Sequence, residues 1–282
     1  MLEPGSFLPG TEIEIVHPDH PHGGFRCALF DFDGTISLVR SGWQAEMIPM
    51  MVELLMLTPD HESETDLKNR VEGFIDLLTG KQTIFQMIWL AEEVNKRGGT
   101  PLDPTEYKRI FQDRLDRRIN ERLTDLRAGK LKLDDLMVPG ARFILQLLSD
   151  RGVICYLASG TDYHRVKDDV VLLEIEKYFC EIHGAREGYW NFSKGQVIDH
   201  ILEENSLDGS NMIAFGDGYA DIQESKQRKA LAVGLATDEV NMRGANEWKR
   251  RQLIDAGADL IVPEFRQADH LVAYLFAGSS AC

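Results

Sequence analysis

Hydrophobic and polar positions fall along this chain in two textures. In one, short apolar runs rich in β-branched and aromatic residues, "CALFDFD", "VICYLASG", "NMIAFGDG", "ALAVGLA" and "ADLIVPE", each end in glycine or polar residues. Helical patterns such as "ARFILQLLSDRG" and "KGQVIDHILEEN" lie between them. Near-continuous apolar strands alternating with helices predict an α/β fold built on a parallel sheet covered on both faces. The other texture fills residues 41–136, which hold no strand pattern but several helical stretches, among them "SGWQAEMIPMMVELLML" and "KQTIFQMIWLAEEVNKRGG". Ser41 and Thr105 are the expected caps or first-turn residues there, with Gly80 and the Gly98-Gly99 pair as stops. The expected division is a core of residues 25–40 and 137–282, with an all-helical unit of residues 41–136 inserted after the first core strand. Residues 1–24, rich in Pro, Gly and His, read as a solvated, partly flexible leader. Its His17, His20 and His22 lack the further ligands that a metal site would need.

In open parallel sheets, ligands bind beyond the carboxyl ends of the strands. The first run ends in Asp31, Asp33 and Thr35, the second in Ser159, Gly160 and Thr161, and a later one in "GDGYAD", with Asp217 and Asp221. Lys194 opens the helix before that last strand. Residues i and i+2 of a strand share a face, so Asp31 and Asp33 crowd one side of a buried element. That is costly unless a cation or a reaction uses them. Carboxylates for a hard cation, a lysine for anionic oxygens and a hydroxyl beside a glycine amide together make an inventory for phosphoryl transfer. Mg²⁺ takes few carboxylates and keeps water and phosphate oxygens in its shell, which suits Asp31 and Asp217 as direct ligands.

Composition narrows the partners. Lys and Arg number 31 against 46 Asp and Glu, a net charge of −15, which disfavours nucleic acid or an anionic membrane as a partner. The cysteines, Cys27, Cys155, Cys180 and Cys282, show no CxxC spacing and read as reduced thiols. The longest nearly apolar run, "MIPMMVELLML", is too short to span a bilayer, and a cytoplasmic protein, monomeric or homodimeric, is expected.

Taken in order, "DFDGT", "ASGT", Lys194 and "GDGYAD" resemble the four motifs of the haloacid dehalogenase (HAD) superfamily. The resemblance covers nearly the whole chain and implies a Rossmann-like core with a helical cap of the C1 type. It implies Asp31 as the nucleophile that takes the phosphoryl group, and Asp33 as general acid and then base, with its backbone carbonyl on Mg²⁺. Ser159 and the Gly160 amide, helped by Thr35, would hold phosphate oxygens, and Lys194 would neutralise the aspartyl phosphate. Asp217 would bind Mg²⁺, and Asp221 would bind it through water or hold its shell in place. An aspartate two residues after the nucleophile favours phosphate esters over halides, because an alkoxide leaving group needs a proton that a halide does not.

The chain departs from that pattern after Thr35, where many relatives read Leu or Ile and then Asp but this sequence reads "TISLVRSGW". Arg40, Trp43 and Gln44 are the substitute candidates for substrate contact. In the helical unit, "LLTGKQTIFQMIWL" resembles in position a specificity loop, so Lys81, Gln82 and Thr83 are expected to face the site. His164, just after "ASGT", and Thr161 join that set, while Arg114, Arg117 and Arg118 read as a solvated face. The resulting expectation is a phosphomonoesterase for a small phosphorylated sugar or acid. A phosphomutase of the β-phosphoglucomutase type is the alternative, and a non-catalytic regulatory protein of the same fold the alternative from another class.

Overall fold

The computed structural model describes residues 5–185 and 193–277. Eight strands form one sheet: β1 (Ser6–Phe7), β2 (Glu14–Ile15), β3 (Cys27–Phe30), β4 (Ile154–Asp162), β5 (Phe179–Ala185), β6 (Met212–Gly216), β7 (Leu231–Leu235) and β8 (Leu260–Val262). Across the sheet they run β1-β2-β8-β7-β6-β3-β4-β5. Strands β3 to β8 run parallel to one another, as the unbroken apolar runs predict, while β2 pairs antiparallel with both β8 and β1. Between β3 and β4 the chain first forms four helices, α1 (Gln44–Met56), α2 (Glu64–Leu78), α3 (Thr83–Lys96) and α4 (Pro104–Arg127), before α5 (Ala141–Asp150) leads into β4. Helix α5 and the remaining helices, α6 (Tyr163–Leu172), α7 (Lys194–Glu204), α8 (Tyr219–Gln227), α9 (Glu247–Asp255) and α10 (Ala268–Leu275), cover the sheet. No helix among the described residues is long and apolar enough to cross a membrane.

The core is aromatic where β3 meets β6. Phe30 and Phe215 stack with centroids 4.5 Å apart, and Phe265 closes on both edge-on. Burying each such ring stabilises the fold by about 1.5–3 kcal/mol. A second apolar set, with Met47, Met51, Leu55, Val71, Leu90 and Phe111, sits among α1 to α4 and is continuous with the sheet core.

Three expectations need correction. Residues 5–24 are not a solvated leader: Glu14 and Ile15 pair with Ile261 and Leu260, and Ile13, Ile15 and Val16 are buried. The open edge of β8 needs hydrogen-bond partners, and this segment supplies them. Its His20 is buried, and the rings of His20 and His22 pack against each other and against Tyr274. Ser41 neither caps α1 nor lies in its first turn, the N-cap being Trp43, whereas Thr105 does lie in the first turn of α4, its amide donating to the N-cap Asp103. Strand β5 lies outside the five apolar runs, because an edge strand carrying Glu181 and His183 has no continuous apolar pattern. Cys27 and Cys155 are buried free thiols and Cys180 is an exposed one, while Cys282 falls outside the described residues.

Candidate active site

The parallel register brings the chemistry together. Phe30 lies opposite Phe215, and the Asp31 amide donates to the Phe215 carbonyl at 2.9 Å, so the chain just past β3 runs beside the chain just past β6. Asp31 and Asp217 therefore end on the same rim of the sheet. The chain that follows Asp33 turns at Gly34, whose φ is +81°. A Cβ at Gly34 would lie 2.2 Å from the Asp217 Oδ2, so only glycine leaves room for that carboxylate.

Lys194 is the first residue of α7, held there by the capping box of Ser193 and Gln196. It is buried and donates to both Asp31 and Asp221. Asp221 also accepts from the Gly218 amide at 3.1 Å, which ties it to the start of α8. One carboxylate oxygen each from Asp31, Asp217 and Asp221 lie within 4.8 Å of one another. Burial raises the Asp31 carboxyl well above its ordinary pKa; Lys194 pulls it down, while Asp221 and Asp217 push it further up. Burial works against the Lys194 ammonium, yet Asp221 and Asp31 outweigh it and hold that pKa above an ordinary lysine's. Asp217 is pushed up to about 6, first by burial and then by Glu239, against the pull of Lys249. A buried set of three carboxylates whose charges oppose one another suits a hard divalent cation with oxygen ligands, so these donors fit Mg²⁺.

Asp33 occupies a different environment. Its Oδ1 accepts from Arg40 Nη1 at 3.2 Å, and its Oδ2 accepts from the Thr161 hydroxyl at 2.8 Å and the Ser159 hydroxyl at 3.4 Å. Arg40 is itself buried and also bonds Asp169 on α6. Burial opposes the guanidinium charge, but Asp33 and Asp169 more than compensate and raise its pKa. The Asp169 carboxyl, desolvated in the same place, is pushed up to about 6 despite Arg40.

A 90 Å³ cavity opens above these groups, lined among the expected residues by Asp31, Asp33, Arg40, Trp43, Lys81, Thr83, Ser159, Gly160, Thr161 and Asp217. Lys194 and Asp221 lie buried behind Asp31. Thr35 is fully buried, its hydroxyl 3.5 Å from Asp31 Oδ2. Gln82 is the buried N-cap residue of α3 and lines an adjoining cavity with Lys194 and Glu224. Two candidates are not brought to the cavity. His164 is exposed near the start of α6, and Gln44 is half-buried at the start of α1; neither lines it, because each side chain leaves its helix on another face. Arg40 reaches Asp33 and Asp169 as well as the cavity, so part of its donor capacity is already used within the protein. Arg114 pairs with Glu53 and Arg118 with Glu46, consistent with a surface face.

Some residues that contact the site have no signal in the sequence. Lys249, in the polar helix "NEWKRRQ", is buried and bonds both Asp217 and Glu239 at 2.8 Å. Lys108 and Gln112 of α4 both donate to Asp162 at the cavity rim, at 2.5 and 2.9 Å. Each reads in one dimension as an ordinary solvated polar or charged residue, and only the chain path gives it a partner.

Residues 25–227 match a family model described as haloacid dehalogenase-like hydrolase. No curated protein matches the chain significantly. Among solved structures, the chain is similar to one described as a predicted phosphoglycolate phosphatase from Haemophilus somnus 129pt, at 18% identity and a TM-score of 0.57, over 88% of this chain and 97% of that one. A predicted phosphatase from Clostridium acetobutylicum is similar at 17% identity and a TM-score of 0.57, over 88% and 97%. The β-phosphoglucomutase of Clostridium difficile is similar at 14% identity and a TM-score of 0.55, over 82% and 98%.

Proposed function

The chain belongs to the haloacid dehalogenase-like hydrolases, and from that premise we propose that it is a phosphomonoesterase acting on a small phosphorylated metabolite through a phosphoryl group carried on Asp31. The observation that carries this reading is the division between two carboxylates on one cavity. Asp31 is buried against Lys194 among carboxylates, while Asp33 is held by hydroxyls and Arg40 at the side where a leaving group would stand.

In the first step a carboxylate oxygen of Asp31 forms a bond to phosphorus and the ester oxygen departs, taking a proton from Asp33. In the second, water forms the new bond to phosphorus as Asp33 takes its proton, and the Asp31 oxygen is released. Ser159, the Gly160 amide and Lys194 would hold the phosphoryl oxygens, Lys194 offsetting the charge that Asp31 and phosphate share. Asp31, Asp217 and Asp221, with the Asp33 backbone carbonyl, would hold Mg²⁺, which when bound supplies charge neutralisation for the transferring group. The small cavity, well under the several hundred Å³ of common ligand sites, supports a small substrate or a closed state that must open to admit one.

The test is release of inorganic phosphate from a panel of phosphorylated sugars, acids and nucleotides, with Mg²⁺ or with EDTA. The wild type should release phosphate only with Mg²⁺, and Asp31→Asn should lose at least about 10³-fold in kcat. Interconversion of sugar phosphates that needs a bisphosphate primer would replace this reading with a mutase. Silence in both assays would leave the non-catalytic one.

A further inference from the structure

Away from the carboxylate cluster, two elements aim metal-binding side chains at one point. Glu181 and His183 are two residues apart on the edge strand β5 and so share its face. His200 and Glu204 are four apart on α7 and so share one side of that helix. The packing of α7 beside β5 brings the pairs together. His183 Nε2 lies 2.8 Å from Glu181 Oε2, His200 Nε2 lies 3.7 Å from the same oxygen, and His200 Nε2 lies 3.6 Å from Glu204 Oε2. Donor atoms of Glu181, His200 and Glu204 all fall within 4.8 Å of one another.

We propose that Glu181, His200 and Glu204 form a second cation site, for a borderline divalent transition ion of the zinc class, with His183 positioning the Glu181 carboxylate from behind. A tetrahedral shell with bonds of about 2.0–2.2 Å sets its donors roughly 3.3–3.6 Å apart. The two pairs that involve His200 already stand near that spacing, at 3.7 and 3.6 Å, and water would complete the shell, while His183, 2.8 Å from Glu181 Oε2, holds that carboxylate in place. An imidazole donor, here His200, selects against Mg²⁺ and Ca²⁺ and for zinc-like ions, whereas the all-oxygen cluster of Asp31, Asp217 and Asp221 has the opposite preference. Two carboxylates neutralise a dication without excess charge, and the half-exposed positions of His200 and Glu204 leave a path for entry. The bound ion would join β5 to α7, the helix that begins with Lys194.

The experiment is calorimetric titration of the full chain with ZnCl₂ in the presence of saturating Mg²⁺, which occupies the all-oxygen cluster, followed by Co²⁺ substitution read by visible absorption. The wild type should bind one zinc ion per chain, melt at a higher temperature with zinc, and give the absorption of an imidazole-ligated Co²⁺. His200→Ala should weaken binding by at least about tenfold, and His183→Gln should do the same. His200 is half-exposed on its helix, so its replacement leaves the fold intact, which circular dichroism checks. Asp217→Asn and Cys180→Ser should bind zinc as the wild type does, since neither belongs to the site. The proposal is overturned if no zinc binds in the presence of Mg²⁺, if binding survives both histidine changes, or if Asp217→Asn or Cys180→Ser abolishes it. In the first case the four side chains are a histidine–glutamate contact cluster and nothing more.

Discussion

Lys249 places one ammonium against Asp217 and Glu239, each at 2.8 Å, with all three side chains withdrawn from water. Burial disfavours its charge, but the two carboxylates outweigh that and raise its pKa. Removing one partner of a buried ion cluster leaves the others uncompensated, at a cost of roughly 3–5 kcal/mol. Lys249→Met is therefore expected to lower the melting temperature measured in EDTA, and to enlarge the upward shift that Mg²⁺ produces, since the cation then supplies the missing charge. An unchanged melting curve in EDTA would mean that Asp217 and Glu239 do not depend on it. This residue also shows where sequence reading stops. Asp31 and Asp33 stand in one short contiguous motif and Asp217 and Asp221 in another, so each pairing is local and legible. Lys249 is 32 residues from Asp217, and Arg40 is 129 from Asp169, and no local pattern links such pairs.

Single elements carry their own electrostatic conflicts. Asp76 lies in the last turn of α2, four residues after Glu72, so both the helix dipole and a like charge oppose it. Its carboxyl is pushed up to about 6, by burial first and then by Glu72. A carboxyl whose folded pKa is raised favours the fold when protonated. That contribution is fully present below the unfolded value near 3.8 and is lost as pH rises through about 6. Asp76→Asn should therefore match the wild type at pH 4 and exceed it at pH 7.5, by about 1 kcal/mol once solvent screening is allowed for. Chemical denaturation at the two pH values measures this, and an equal difference at both would refute the electrostatic origin. The opposite case is α7, where Ser193, Lys194 and Gln196 lie in one stretch and the capping box starts the helix at Lys194. Helix starts of that kind are local chemistry and were readable, whereas the two-residue strands β1 and β2 exist only because β8 offers an edge.

Across the whole molecule, the loop between α2 and α3 presses onto the ends of the sheet. A Cβ on Gly160 would stand 2.7 Å from the Lys81 carbonyl oxygen, so the end of β4 and the helical unit touch backbone to backbone. On the other side of the cavity α4 is tied down by Lys108 and Gln112 to Asp162 and by Asp116 to Arg165. These contacts are half-exposed and worth about 0.2–1 kcal/mol each, so together they bias closure by roughly 1–2 kcal/mol, near tenfold in population. Replacing Asp116 and Asp162 with alanine together is expected to increase the radius of gyration in small-angle X-ray scattering while leaving the melting of the sheet core in place. No change in radius would show that apolar packing among the helices, not the charge pairs, holds the closed arrangement.

What the linear sequence determined was local: apolar runs of strand length, helical periods between them, and carboxylates, hydroxyl and lysine at the ends of those runs. Those features depend on neighbours within a few residues, and strand ends in a parallel sheet share a rim wherever the strands stand. The three-dimensional path decided the rest. It paired residues 5–24 with the β8 edge, turned His164 and Gln44 away from the cavity, set Lys249 on Asp217, and brought Glu181 and His183 on β5 against His200 and Glu204 on α7. Each of these depends on which distant segment arrives at a given edge or face, and a charge or imidazole looks alike in sequence whether it meets water or a buried partner.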